Sequence, residues 1–350
     1  MVKIVDVARR AGVSVGSVSR VINEHPTVTP ATRERVERAV RELGYVPNAI
    51  AGSLRSRRSK TVGLIIPDVT NPFFSELALH VERSAAAAGY NVILGNSDNS
   101  VDQETYYLHA LAVRRVDGII FVPANKTSHS AEIAVPVVGV DREVDGHPFV
   151  ASDNRAGAKS AIEYLHSLGH RLIACVGGPK DLLNAQERRR GYEEVALPIL
   201  RSAGVDSSEY IVFADFSYDS GYAATRSLLE LTPQPTAIFA SSDQQAIGGM
   251  RAAADLGLTV PRDLSVVGFD DIPLANLVMP RLTTVGQPVA EIGVLAMRLL
   301  LDLLSGAEAP RRRRHLLATA LQIRQSCAPP NTDGAVSAGQ YQETSLQAVL

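Results

Sequence analysis

Twelve lysine and arginine side chains lie within the first 60 residues: Lys3, Arg9, Arg10, Arg20, Arg33, Arg35, Arg38, Arg41, Arg55, Arg57, Arg58 and Lys60. Only five acids accompany them: Asp6, Glu24, Glu34, Glu37 and Glu42. The rest of the chain carries 23 basic and 32 acidic groups, so the overall balance of −2 conceals a cationic block on an acidic body. Such a block suits a polyanion, with nucleic acid the leading candidate. A second set of residues follows the apolar runs of the body: Asp68, Asn96, Asp141, Asp215, Ser242-Asp243 and Asp270-Asp271. Carboxylates, amides and hydroxyls at strand ends can hold the polar groups of a small ligand.

Other chemical patterns lack the context they need. Gly12-Val13-Ser14-Val15-Gly16 has the spacing of a hydrolase nucleophile elbow. That elbow follows a strand, and here a basic helical stretch precedes it. His170 has no triad companions. Cys175 and Cys327 lie far apart without metal-ligand spacing and read as reduced thiols. Asn125-Lys126-Thr127 has the form of a glycosylation acceptor, which a cytoplasmic chain does not use. Arg311–Arg314 reads as a charged turn before a strand at 315–323. No enzyme activity, metal or cofactor is expected.

The elements that would position these residues change along the chain. Ile4, Val7, Ala8 and Ala11 share one face of a short helix. Gly12-Val13-Ser14 breaks it, and Ser14 can cap a second helix from Val15 to about Asn23, with Val15, Val18, Val21 and Ile22 available for burial. Two helices around a three-residue glycine turn form a helix-turn-helix pattern. A third helix is framed by Thr29, Pro30 and Gly44, with Val36, Ala39, Val40 and Leu43 as its buried stripe. A short helix capped by Asn48 over 48–58 contains Gly52, Ser53 and Ser56 and is marginal in isolation.

From Thr61 the pattern becomes strands alternating with helices. Apolar runs fall at 61–67, 91–95, 118–123, 136–141, 171–177, 210–214, 236–241 and 264–269. Helical stretches fall at 74–88, 103–114, 155–168, 185–203, 219–231 and 244–257. Continuous apolar strands with helical crossovers imply parallel sheets covered on both faces, and their number implies two lobes. No run reaches the length of a membrane helix, and Asp6, Arg9 and Arg10 interrupt any leader-like stretch, so a cytoplasmic location is expected.

Several segments then carry a resemblance: Asp6-Val7-Ala8, Ala11-Gly12-Val13-Ser14, Val18-Ser19-Arg20-Val21-Ile22-Asn23, Thr32-Arg33-Glu34-Arg35-Val36 and Leu43-Gly44-Tyr45-Val46-Pro47-Asn48. Further along come Asn71-Pro72-Phe73-Phe74, Asp117-Gly118-Ile119-Ile120, Val140-Asp141-Arg142, Gly169-His170, Arg188-Arg189-Arg190-Gly191-Tyr192, Ser241-Ser242-Asp243-Gln244, Ser265-Val266-Val267-Gly268-Phe269-Asp270-Asp271 and Leu282-Thr283-Thr284-Val285. Over about residues 2–327 the chain resembles the lac repressor–galactose repressor family of bacterial transcription regulators.

The resemblance implies an all-α helix-turn-helix head and a two-lobed α/β body of parallel sheets, like a periplasmic binding protein. The implied organisation is a DNA-binding domain at 1–47, a hinge helix at 48–60 and a ligand-binding and dimerisation domain at 61–327; residues 328–350, outside the resemblance and rich in Pro, Gly, Ser and Gln, read as a mobile tail. The lobes would comprise about 61–157 plus 290–318, and 158–289 plus 319–327. In the head, Val15, Gly16 and Arg20 would face base edges; Arg20 can bridge guanine O6 and N7, Val15 offers apolar contact, and Gly16 offers close approach. Ser14, Ser17, Ser19 and Asn23 would contact phosphates. In the hinge, Asn48, Ala51 and Arg55 would touch DNA, and Leu54 would wedge the minor groove. The implied effector contacts are Phe73, Phe74, Asp141, Arg142, Arg188, Phe216, Ser242, Asp243 and Asp270.

The expected function is a ligand-responsive DNA-binding regulator, a repressor of sugar-utilisation genes. Its partners would be double-stranded palindromic operator DNA, a sugar or related metabolite as effector, and a second copy of the chain, with no membrane. The tail has leucine only at 346 and 350 after Pro329-Pro330, too few for a tetramerising heptad helix. The alternative is a solute-binding protein with no regulatory role, which the basic head disfavours.

Overall fold

The computed structural model describes residues 2–22, 25–45, 58–124, 135–306 and 313–331. Two units separate at Lys60 and Thr61. The first holds α1 (Ile4–Ala11), α2 (Val15–Ile22) and α3 (Pro30–Leu43). Gly12 ends α1 at φ +65°, a left-handed conformation that costs glycine least. Two residues later Ser14 Oγ accepts from the Ser17 amide at 3.1 Å and starts α2. Thr29 caps α3 and Gly44 closes it at φ +59°. Val7, Ala8, Ala11, Val18, Val21, Val36 and Ala39 form this unit's own core. Val15 is not among them: it is 41 % exposed. Residues 48–57 of the expected hinge helix, with Asn48, Ala51, Leu54 and Arg55, lie outside the described residues, as does Asn23.

The second unit contains two six-stranded sheets. The first uses β1 (Thr61–Ile66), β2 (Asn91–Asn96), β3 (Gly118–Phe121), β4 (Val137–Val140), β5 (Phe149–Ser152) and β11 (Arg314–Leu317). Their order is β11-β5-β4-β3-β1-β2, parallel throughout. The second uses β6 (Ile173–Gly177), β7 (Ile211–Phe213), β8 (Ala237–Ala240), β9 (Ser265–Asp270), β10 (Thr283–Gly286) and β12 (Ala320–Gln322). Their order is β12-β10-β9-β8-β6-β7, with β12 antiparallel to β10. The helices α4 (Pro72–Ala87) and α5 (Val101–Val113) belong to the first lobe, and α6 (Asn154–Ser167), α7 (Leu183–Ser202), α8 (Tyr218–Leu229) and α9 (Asp243–Asp255) to the second. The last helix, α10 (Val289–Leu304), follows β10 yet packs Ile292, Ala296, Met297 and Leu300 into the first lobe's core.

The chain therefore passes between lobes after β5, after β10 and after β11. Two expectations change as a result. The segment 315–323 is not one strand: β11 extends the first sheet beside β5, Ala318-Thr319 cross, and β12 pairs with β10 in the second. The first lobe ends at Asp153 and not at 157, because α6 buries Ala158, Ala161, Ile162 and Leu165 in the second lobe's core. Gly157 fits there only because it lacks a side chain: a Cβ would run into Thr319, Val285 and Phe269.

The tail expectation changes in part. Ala328 is still fixed, its amide donating to Ser265 Oγ at 3.0 Å and its carbonyl lying 2.9 Å from His170 Nε2. His170, just after α6, is thus a buried tie to Ser265 of β9 and to Ala328, with Nδ1 2.9 Å from Thr236 Oγ1. Residues 332–350 lie outside the described residues. Both cysteines are free, and burial pushes both thiols up, Cys327 to about 11. Among the described residues no helix is long and apolar enough to cross a membrane.

Candidate functional site

The C-terminal ends of both sheets meet at one cleft, with about 270 Å³ of empty space partly continuous with solvent. Its walls come from Asn71, Phe73, Phe74, Asp141 and Arg142 of the first lobe, and Asn184, Arg188, Phe216, Asp270 and Gln287 of the second. Each is placed by a local rule. Asn71 caps α4, accepting from the Phe73 amide at 3.0 Å, and Pro72 occupies the first turn where no amide bond is lost. That start projects Phe73 and Phe74 with rings edge to face, centroids 5.0 Å apart. Asp141 follows β4 at φ +60° and Asp270 ends β9 at φ +126°. Both backbones are in regions that L-residues avoid, which aims a carboxylate from each lobe at the gap.

Arg188, 3 % exposed, is fixed from several directions. Its Nε donates to Asn154 Oδ1 at 2.7 Å, and Nη1 donates to Ser241 O at 2.6 Å and to Asp270 Oδ1 at 3.2 Å. The guanidinium lies 3.9 Å from the Phe269 ring centroid. Gln287 Nε2 donates to the same Asp270 oxygen at 2.7 Å. Burial raises the Asp270 carboxyl to about 6, with Arg188 opposing the rise. In the first lobe, Arg142 Nη1 donates to the carbonyls of Pro123 and Ala124 at 2.7 and 2.9 Å. Glu104, buried beneath that loop, accepts from the Ala124 amide, and burial raises it to about 7. Burial also lowers Arg142, against Asp141 and Glu104, which hold its proton.

The lobes touch directly where Asn184 Nδ2 donates to Asp141 Oδ2 at 2.7 Å. Three buried polar atoms at the cleft, Asp141 Oδ1, Gln287 Oε1 and Arg142 Nε, have no hydrogen-bond partner among the described residues, although Arg142 Nε lies 3.8 Å from Asp141 Oδ2. A buried polar atom without a partner costs about 1–3 kcal/mol, so a hydroxylated ligand gains by supplying one. Aromatic faces, carboxylates from both lobes and a guanidinium suit an uncharged polyhydroxyl ring: its apolar face can stack and its vicinal hydroxyls can bridge.

Seven of the expected contacts line this cleft: Phe73, Phe74, Asp141, Arg142, Arg188, Phe216 and Asp270. Ser242 and Asp243 do not. Ser242 caps α9 by accepting from the Gln245 amide at 3.2 Å, and Asp243 is wholly buried behind the wall. Position four residues before Arg188 made Asn184 findable, since one helical turn places it on the same face. Asn71 belongs to the Asn71-Pro72-Phe73-Phe74 motif and joins its two phenylalanines in the wall. Gln287 gave no signal, because β10, which delivers it, did not stand out as a strand.

In the head, α2 turns Val18 and Val21 inward and leaves Val15, Gly16 and Arg20 exposed, with Ser17 and Ser19 half-buried beside them. Ser14 and Ser17 hydroxyls lie 3.0 Å apart at the helix start. Arg10 pairs with Glu42 at 2.5 Å and Arg38 with Glu34 at 2.9 Å, whereas Arg20 has no ion pair among the described residues.

Residues 3–48 match the family model for bacterial regulatory proteins of the lacI family, and residues 162–327 match a periplasmic binding protein-like domain. The ribose operon repressor of Halalkalibacterium halodurans is 42 % identical over 306 residues, covering 86 % of this chain and 90 % of that protein. The chain belongs to the lacI family. It is a ligand-responsive DNA-binding transcriptional regulator. Among solved structures, the lac repressor dimer bound to operator and the anti-inducer ONPF superposes with a TM-score of 0.81 at 29 % identity, covering 93 % of this chain and 99 % of that one. A lacI-family regulator from Enterococcus faecium with bound ribose gives a TM-score of 0.68 at 30 % identity, covering 77 % and 99 %. This lacI-family regulator shares with both the two-lobed body, and with the lac repressor the head as well.

Proposed function

We propose that this regulator represses sugar-utilisation genes, binding a palindromic operator as a homodimer and a single monosaccharide, of the ribose type, in the inter-lobe cleft. The observation that carries the single-ring reading is the Asn184–Asp141 hydrogen bond, which closes one end of the cleft. A longer saccharide would have to break it. The relatives named for ribose agree in size and chemistry. Calorimetric titration with D-ribose, other pentoses, hexoses and a disaccharide tests this. D-Ribose or a close pentose should bind tightest, and tightest binding by the disaccharide would overturn the single-ring reading.

A second chamber supports the opposing reading of a longer ligand. It adjoins the first through Asp141 and Asn184 and is lined by Ser152, Asp153, Arg155, Glu187 and Arg314. Its cations are engaged, Arg155 with Glu194 and Arg314 with Glu143, which favours the single ring.

For the head, Val15, Gly16 and Arg20 form the base-reading face, with Ser14, Ser17 and Ser19 set toward phosphates. Arg20→Ala should relax preference at one base pair of each half-site, weakening operator binding by about 1–3 kcal/mol per half-site while leaving non-specific binding nearly unchanged. Selection from a randomised operator library reads this out. An unaltered preference would remove Arg20 from the base-reading role.

A further inference from the structure

We infer that Asp243 is a positioning residue for the effector cleft, holding the turn Asp270–Ile272 so that Asp270 meets Arg188 and the ligand. The inference rests on the cleft reading above and assigns a role one layer behind it. Asp243 is 0 % exposed and touches no cleft surface. Its Oδ2 accepts from the Ile272 amide at 2.9 Å, and its Oδ1 accepts from Thr284 Oγ1 at 2.5 Å. One carboxyl thus ties the end of β9 to β10 from the first turn of α9. Gly268, two residues before Asp270, leaves the room: a Cβ there would run into Asp243 Oδ1.

The turn needs such a tie. Asp270 stands at φ +126° and Asp271 at φ +63°. Consecutive residues in these regions persist only where their surroundings over-determine them. Arg324 Nη2 holds Asp271 at 2.6 Å and Gln287 holds the Asp270 carboxylate, but Asp243 holds the backbone itself. The geometry also explains why this acid is buried so deep without a cation of its own. Burial, and then the charge of Asp270, raise it to about 8, so near neutral pH it holds a proton, which the Thr284 hydroxyl can accept from Oδ1 while Oδ2 still accepts from the Ile272 amide. The charged groups facing it are Asp270 and Asp271 from β9, which Arg188 of α7 and Arg324 beyond β12 engage in turn; β10 presents the Thr284 hydroxyl. Above its pKa a second negative charge appears beside Asp270, while the Ile272 and Thr284 hydrogen bonds, which favour the charged form, persist.

An asparagine imitates the neutral acid, and this separates positioning from ligand contact. Hydrogen–deuterium exchange on the ligand-free full chain reads the tie without any effector. Asp243→Ala should speed exchange across 270–274 about tenfold or more, with β8 and β9 protection kept, while Asp243→Asn stays near the parent. In D-ribose titrations near neutral pH, Asp243→Ala should weaken binding about thirtyfold, Thr284→Val about fivefold and Asp243→Asn less than about threefold. Unchanged exchange at 270–274 in Asp243→Ala, or in Thr284→Val should the alanine variant not fold, overturns the inference. So does an asparagine variant as defective as alanine, because the carboxylate would then be a direct contact. A parent that binds no monosaccharide defeats the cleft reading instead, and the exchange data still decide the role of Asp243.

Discussion

Arg188→Ala should abolish the effector response while leaving operator affinity without effector unchanged. The guanidinium joins Asn154, Ser241 and Asp270 in one buried cluster and forms part of the cleft wall. Truncating one partner of a buried, hydrogen-bonded charge pair costs about 2–5 kcal/mol, so effector affinity should fall by about thirtyfold or more. Arg188→Lys should fail almost as badly, since one ammonium cannot span three acceptors in fixed directions. By reciprocity, an effector that weakens operator binding must bind more weakly to the operator complex, and the variant should lose both sides of that coupling together. Fluorescence anisotropy of a labelled operator, titrated with D-ribose, measures it. A dose–response curve identical to the parent's would show that the cleft is not the effector site.

A chain starting at Thr61 should lose operator binding entirely and keep its effector affinity. The head's apolar core is built from its own three helices, and the cleft residues begin at Asn71. The cationic block is confined to the first 60 residues, leaving an acidic body that repels DNA. The intact chain should show a steep fall of log affinity with log salt, because each neutralised phosphate releases counterions. Gel-shift titrations at several salt concentrations check both statements. Operator binding retained by the shortened chain would place the DNA contacts in the wrong unit.

How much of this was legible depends on whether the deciding interaction is local. The three head helices are written in caps and breaks: Gly12, Ser14, Thr29, Pro30 and Gly44 each act within a turn or two of their own position. The apolar runs of β1, β3, β4, β6, β8 and β9 are legible for a similar reason, since strands buried on both faces need continuous Val, Ile and Leu. β5, β10 and α10 escaped notice. Phe149–Ser152 and Thr283–Gly286 are short and mixed with Ser, Thr and Gly, and only their neighbours in the sheet make them strands.

The sequence by itself determined the charge division, the head and the alternating body, because motif spacing and periodicity are one-dimensional properties, and its family resemblance implied seven residues of the cleft wall. Tertiary structure alone decided the rest. The segment 315–323 reads as a single strand until the two sheets claim different halves of it. Ser242-Asp243 reads as a ligand pair until α9 turns the serine to its own amides and the aspartate to Ile272 and Thr284. Asn184 and Asp141 are 43 positions apart and meet only because the lobes face each other. Whether a carboxylate faces a ligand or supports one that does is set by which direction its Cβ leaves the backbone, and that direction exists only once the elements are packed.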